Sequence, residues 1–126
     1  MKNAAAKNLD KVGLDTLETI SKAEKFNQWM YSTIRPFIKG SVLELGCGIG
    51  NITDFLIKDF SEITLSDYNP EYCNIIREKY KFQNNIKEIL QIDLQDPLFI
   101  EKYKVYKHSF DTIILLNVIE HLKDDN

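Results

Sequence analysis

The chain has 126 residues, 44% hydrophobic and 28% charged, which is enough apolar mass for one core and too little length for two domains. A formal charge of −3 and a pI near 5.4 offer no clustered cationic surface, so neither nucleic-acid binding nor attraction to anionic membrane is expected. No apolar stretch approaches a membrane span, the first residues lack the apolar segment of a targeting signal, and Cys47 and Cys73 fit neither a metal-ligand spacing nor a secreted disulfide framework, so a reducing cytoplasm is the expected location.

Residues 1–15 are small and polar, and Gly13 interrupts any helical pattern, which predicts a flexible leader ahead of one domain over 16–126. From Thr16 onward Leu17, Ile20, Phe26, Trp29, Met30, Thr33 and Phe37 recur at helical spacing, with Gly40 as the stop and Pro36 forcing a kink or an end near Arg35. Ser41 to Leu45 is a short apolar run that reads as a first strand. Asn51 to Asp59 follows as a helix with Ile52, Phe55 and Leu56 inward, and Glu62 to Ser66 as a second strand. Asn69 as N-cap and Pro70 at the first helical position predict a helix through about Lys81. Ile86 to Ile92 is the third strand and 97–104 a short helix; Ile113 to Leu116 forms the centre of a fourth strand, expected to be buried on both faces. This alternation predicts an α/β fold with a parallel sheet.

The most specific segment is Glu44-Leu45-Gly46-Cys47-Gly48-Ile49-Gly50, at a strand-to-helix turn. Glycines there let backbone approach a ligand, and Asp67 ends the next strand 21 positions after Gly46. A dinucleotide is disfavoured, because its third glycine position holds Asn51 and because Glu44 would face a pyrophosphate. Like charges about 4 Å apart repel by roughly 4 kcal/mol at an effective dielectric of 20. S-adenosylmethionine carries an ammonium and a sulfonium, which a carboxylate attracts.

The run VLELGCGIGNIT resembles motif I of the class I S-adenosylmethionine-dependent methyltransferases, and further landmarks follow in order through residue 123. The resemblance implies a three-layer Rossmann-like sandwich with the partial strand order 3-2-1-4, preceded by an N-terminal helix. The full family order, 3-2-1-4-5-7-6, makes strands five to seven missing here, so that the domain is expected to be truncated, with strand four an edge able to pair with a second copy as a homodimer. It also implies S-adenosylmethionine as cofactor and S-adenosylhomocysteine as product. Glu44 is then the residue that holds the methionine amino group, Gly46, Cys47, Gly48 and Gly50 form the cofactor loop, and Asp67 grips the ribose. Tyr68 packs on the adenine, Asp93 with Leu94 meets the adenine amino group, and Asn117 closes the site after strand four. Each has a plainer alternative: a strand-end carboxylate facing solvent for Glu44, turn caps for Asp67 and Asp93, and a cover for the sheet for Tyr68.

Asn117-Val118-Ile119-Glu120-His121-Leu122 resembles the polar-x-x-Glu-His-Leu signature of small-molecule methyltransferases. It implies His121 as general base or structural hydrogen-bonder; a metal at Glu120 and His121 is not expected, since Asn117 replaces the first glutamate of the metal-holding relatives. The Asn-Pro-Pro-Tyr-like motif of amino-group methyltransferases is absent. The segment Phe26 to Tyr31 is similar to the helix that lies over the cofactor in such enzymes, or is a core-packing helix, and His108 reads as a loop residue. The expected function is methyl transfer to a small-molecule, lipid or sugar-related acceptor; the alternative is a non-catalytic binding or assembly module, or an inactive fragment.

Overall fold

A computed structural model describes the backbone of residues 4–116 and the side chains of residues 16–116. The chain divides into two units, one ending at Pro36 and the other starting at Phe37.

The first unit is helix α1, Ala4–Ile34, followed by a 3-10 turn over Arg35–Phe37. The helix begins within the stretch read as a leader. Ala4, Ala5 and Ala6 are the strongest helix formers, and Gly13 in the interior costs only about 1 kcal/mol against alanine, which a 31-residue helix absorbs. The end near Arg35 falls where Pro36, lacking an N–H, disrupts the ladder. Inside α1 the Phe26 and Trp29 rings lie 5.9 Å apart, and the Thr33 hydroxyl donates to the Trp29 carbonyl at 2.8 Å.

The second unit contains strands β1 (Val42–Leu45), β2 (Ile63–Asp67), β3 (Ile86–Gln91) and β4 (Thr112–Leu115). Between them run α2 (Thr53–Asp59), α3 (Pro70–Lys79) and α4 (Phe99–Tyr103), the last continued by a 3-10 turn over Lys104–Tyr106. All three strand pairs are parallel and the order is β3-β2-β1-β4, the α/β Rossmann-like arrangement that the sequence implied. Val42 pairs with Ile63 on one side and with Thr112 on the other. Val42, Leu56, Ile63, Leu65 and Ile76 are fully buried, each stabilising the fold by roughly 1.5–3 kcal/mol on burial.

Local chemistry explains the joints. Asn69 accepts from the Glu71 amide at 2.9 Å and Pro70 opens α3, as expected. Asn85 donates to the carbonyls of Ile57 and Phe60 at 2.6 and 3.1 Å, which satisfies the C-terminal end of α2. Gly40 has φ +64°, and a Cβ there would lie 1.9 Å from the Asp111 carboxylate that accepts from the Ser41 amide. Glycine is therefore required at the entry to β1.

Two expectations are corrected. In α2 the buried residues are Thr53 and Leu56, with Ile52 just ahead of the helix, while Phe55 is only half-buried. In β4 only Ile114 is buried, whereas Ile113 is 59% and Leu115 36% exposed, so the strand is not buried on both faces. Among the described residues β4 has one strand neighbour, β1, and no layer covers its outer face.

Candidate cofactor site

β1 delivers its chain into a loop whose three glycines all take positive φ: +67° at Gly46, +58° at Gly48 and +92° at Gly50. An L-residue pays roughly 1–2 kcal/mol for such a backbone, which is the physical reason for the alternating glycines. The loop is tied down at each step. The Cys47 amide donates to the Ser66 carbonyl at 2.9 Å, the Gly50 amide to Cys47 at 3.0 Å, and the Asp54 amide to Gly50 at 3.0 Å.

Asp67 is the hinge between this loop and the next. Its Oδ2 accepts from the Gly48 amide at 2.8 Å and its Oδ1 from the Asn69 amide at 2.9 Å, so one carboxylate joins the β1–α2 loop to the β2–α3 turn. Both the turn role and the closeness to the glycine loop are therefore real. A carboxylate has about four acceptor directions, which leaves capacity beyond these two bonds.

Glu44 lies beneath the loop and is 4% exposed, so it is not a solvent-facing strand-end group. Its Oε1 accepts from the Thr53 hydroxyl at 2.6 Å, and the Ser66 hydroxyl donates to its backbone carbonyl at 3.1 Å. Burial pushes the Glu44 carboxyl up to about 7 against the lowering effect of the Thr53 bond, and the nearby charges of Asp54 and Asp67 push the same way as burial. Cys47 and Cys73 are buried free thiols, and desolvation pushes both upward. They have the environment of inert core cysteines.

The remaining predicted residues come to the same end of the sheet. Tyr68 follows β2 and is 68% exposed, with its carbonyl accepting from the Gln91 side chain at 3.2 Å. The Ile92 amide donates to the Asp67 carbonyl at 3.2 Å, which draws the end of β3 beside Asp67. Asp93 and Leu94 are half-buried there, and Asp93 Oδ1 accepts from the Gln95 amide at 2.9 Å in an Asx turn. Glu44, the glycine loop, Asp67, Tyr68, Asp93 and Leu94 thus gather beyond the carboxyl ends of parallel strands, where open α/β sheets hold ligands. Asn117, Glu120 and His121 lie outside the described residues. Exposed His108, just before β4, sits at the opposite strand end with φ +62°.

A methyltransferase-domain family model matches residues 43–126, which takes in the glycine loop and every strand after it. The chain belongs to the methyltransferase domain family. Two curated relatives are similar to this methyltransferase domain: a probable polyketide synthase of Dictyostelium discoideum, 28% identical over 66% of the chain, and a probable ribosomal RNA small subunit methyltransferase A of Methanococcoides burtonii, 25% identical over 62%. The matched part spans 4% of the first and 34% of the second. Among solved structures, the methyltransferase domain of bacterial CtHen1-C superposes with a TM-score of 0.59 at 20% identity, covering 82% of this chain and 54% of that one. That likeness is one of fold.

Sequence reasoning missed Thr53, Asp54 and Tyr80. Thr53 fills the buried place assigned to Phe55, and the only trace in the sequence is its position one turn after the last loop glycine. Tyr80 carried no local signal, because its partner Gly50 lies 30 residues away. Among the described residues no group of three or more His, Cys, Asp or Glu could hold a metal ion, and no helix is long and apolar enough to cross a membrane.

Proposed function

We propose that this domain holds S-adenosylmethionine for methyl transfer to a small-molecule, lipid or sugar-related acceptor. The observation that carries the reading is the Asp67 carboxylate bonded to the Gly48 amide, near enough to buried Glu44 to act on its charge. The site fits the cofactor in three respects. A Cβ on Gly48 would meet nothing within 4 Å, so the loop is open on the side where a ligand lies against backbone. The charges of Asp54 and Asp67 are close enough to act on Glu44, and although Lys79 pairs with Asp54 the cluster stays acidic, which favours an ammonium and a sulfonium over a pyrophosphate. Exposed Tyr68 and the Asp93 turn stand beside Asp67, where they suit an adenine ring and its amino group.

S-adenosylmethionine supplies a methyl group already activated on sulfur. The chain therefore has to bind and orient rather than create a strong nucleophile. Glu44 holds the amino group, the glycine loop shapes the amino-acid moiety, Asp67 takes the ribose hydroxyls with its spare acceptor capacity, and His121 serves as a base for the acceptor proton. A net charge of −3 supports a small acceptor over a polyanionic RNA, despite the ribosomal RNA methyltransferase among the relatives. The polyketide synthase among them fits the same preference.

Calorimetric titration with S-adenosylhomocysteine tests the cofactor reading, with NADH as control. One-to-one binding is expected, weakened at least about 30-fold by Asp67→Ala through loss of a charged hydrogen-bond acceptor. Binding of NADH in place of S-adenosylhomocysteine would overturn it. The acceptor is tested by methyl transfer to small-molecule and ribosomal RNA fractions, and labelling confined to RNA would reverse that part.

A further inference from the structure

The end of the glycine loop is gripped by Lys79, the last residue of α3, and by Tyr80 just after it, neither of which is among the predicted cofactor-binding residues. Lys79 Nζ donates to the Ile49 carbonyl at 3.0 Å and to Asp54 Oδ2 at 3.0 Å. The Tyr80 hydroxyl, from a side chain 4% exposed, lies 2.6 Å from Asp54 Oδ1 and 3.1 Å from the Gly50 carbonyl. The Asp54 amide donates to that same carbonyl at 3.0 Å. Two consecutive loop carbonyls are thus drawn toward α2 and α3. Because a trans peptide sets its N–H opposite its C=O, the same orientation fixes the two amides that follow: that of Gly50 is spent on the Cys47 carbonyl at 3.0 Å, and that of Asn51 is turned the other way.

Tyr80 also occupies the space a side chain at Gly50 would need: a Cβ there would lie 2.1 Å from its hydroxyl. Burial and the Asp54 bond keep the phenol protonated, so it stays a donor at any physiological pH.

We propose that Tyr80, with Asp54 and Lys79, is a positioning set that holds the Ile49–Gly50 carbonyls and thereby fixes the backbone of the glycine loop in the shape that receives the cofactor. This rests on the cofactor reading above for its ligand, though not for its effect on the loop. Tyr80 is a positioning residue and touches no reacting atom. Nothing in the local sequence marks it, and its two contacts, with Asp54 and the Gly50 carbonyl, converge on the one segment where backbone orientation governs binding.

The test compares Tyr80→Phe with Asn85→Ala in the 126-residue chain. Asn85 secures the far end of α2 through Ile57 and Phe60 and does not touch the loop, so it controls for loss of stability. Tyr80→Phe is expected to weaken S-adenosylhomocysteine binding about tenfold, the size of one lost hydrogen bond, and to speed amide hydrogen exchange at Gly48 and Gly50 by a similar factor. Asn85→Ala should leave both unchanged. Asp54→Asn weakens the same contact from the solvent side and repeats the test without altering a core side chain. Unchanged exchange at the loop in Tyr80→Phe, or equal loss of affinity in Asn85→Ala, overturns the proposal. If the unmodified chain does not bind S-adenosylhomocysteine, the cofactor reading fails, and loop exchange still decides the role of Tyr80.

Discussion

Strands β2 and β4 both pair with β1, yet they live in different environments. All five residues of β2 are buried, flanked by β1 and β3, and its last residue is Asp67. β4 is the more apolar of the two in sequence, yet only Ile114 is buried and Ile113 and Leu115 face outward. An apolar run shows that a strand can be buried; only the neighbouring layers determine whether it is. The contrast also separates function from packing. The glycine loop is held by the end of β2, by the turn that follows it and by Lys79 and Tyr80, and none of its described bonds reaches β4.

The contrast breaks if core substitutions in the two strands have equal effects. Leu65→Ala in β2 is expected to cost 2–5 kcal/mol in urea unfolding, roughly the loss from a fully buried leucine with its cavity. Equality with Ile113→Ser, expected within about 0.5 kcal/mol, would show that β4 is covered after all.

The next effect comes from pH and sharpens the view of β1. Glu44 in the folded chain binds its proton up to about 7, against an ordinary value of 4.5, so between these limits the folded state holds more protons than the unfolded one. Stability from this group is therefore intact below about pH 4.5, falls as pH rises through the window to about 7, and levels off above it. The loss is on the order of 3 kcal/mol at 1.36 kcal/mol per unit, and Glu44→Gln should remove the slope. Since the ligand's ammonium favours ionised Glu44, S-adenosylhomocysteine should bind more tightly at pH 8 than at pH 6, and a reverse trend would separate Glu44 from the amino group.

Within the loop, Gly50→Ala should be more damaging than Gly48→Ala. Both impose a positive φ on alanine at about 1–2 kcal/mol, and only Gly50 adds a collision with the Tyr80 hydroxyl. Thermal midpoints of the two variants check this, and equal midpoints would mean that Tyr80 yields without resistance. The smallest effect is that of Lys79→Met. Its ion pair with Asp54 has side chains 38% and 49% exposed, and unfolding should shift by no more than about 0.5 kcal/mol.

Much of the site was legible in the sequence because its requirements are local. Positive φ at Gly46, Gly48 and Gly50 demands glycine, the Asn69-Pro70 pair announces α3, and strand-helix alternation dictates parallel pairing. The positions of Glu44, Asp67, Tyr68 and Asp93 at one sheet end follow from that alternation. Less legible were the partners. Phe55 matched the inward spacing better than Thr53, yet the helix faces the Glu44 carboxyl, and burying that group calls for a hydroxyl rather than a ring.

The sequence by itself determined the order of elements, the glycine loop and the acid at the end of β2, since each depends on backbone preferences and spacing within a few residues. The tertiary structure decided the rest: the burial that lifts Glu44 toward neutrality, the reach of Tyr80 to a glycine 30 positions away, and the exposure of Ile113 and Leu115. Desolvation and packing are set by what the folded chain brings alongside a residue, and that is a property of the whole sheet and its layers rather than of any segment within it.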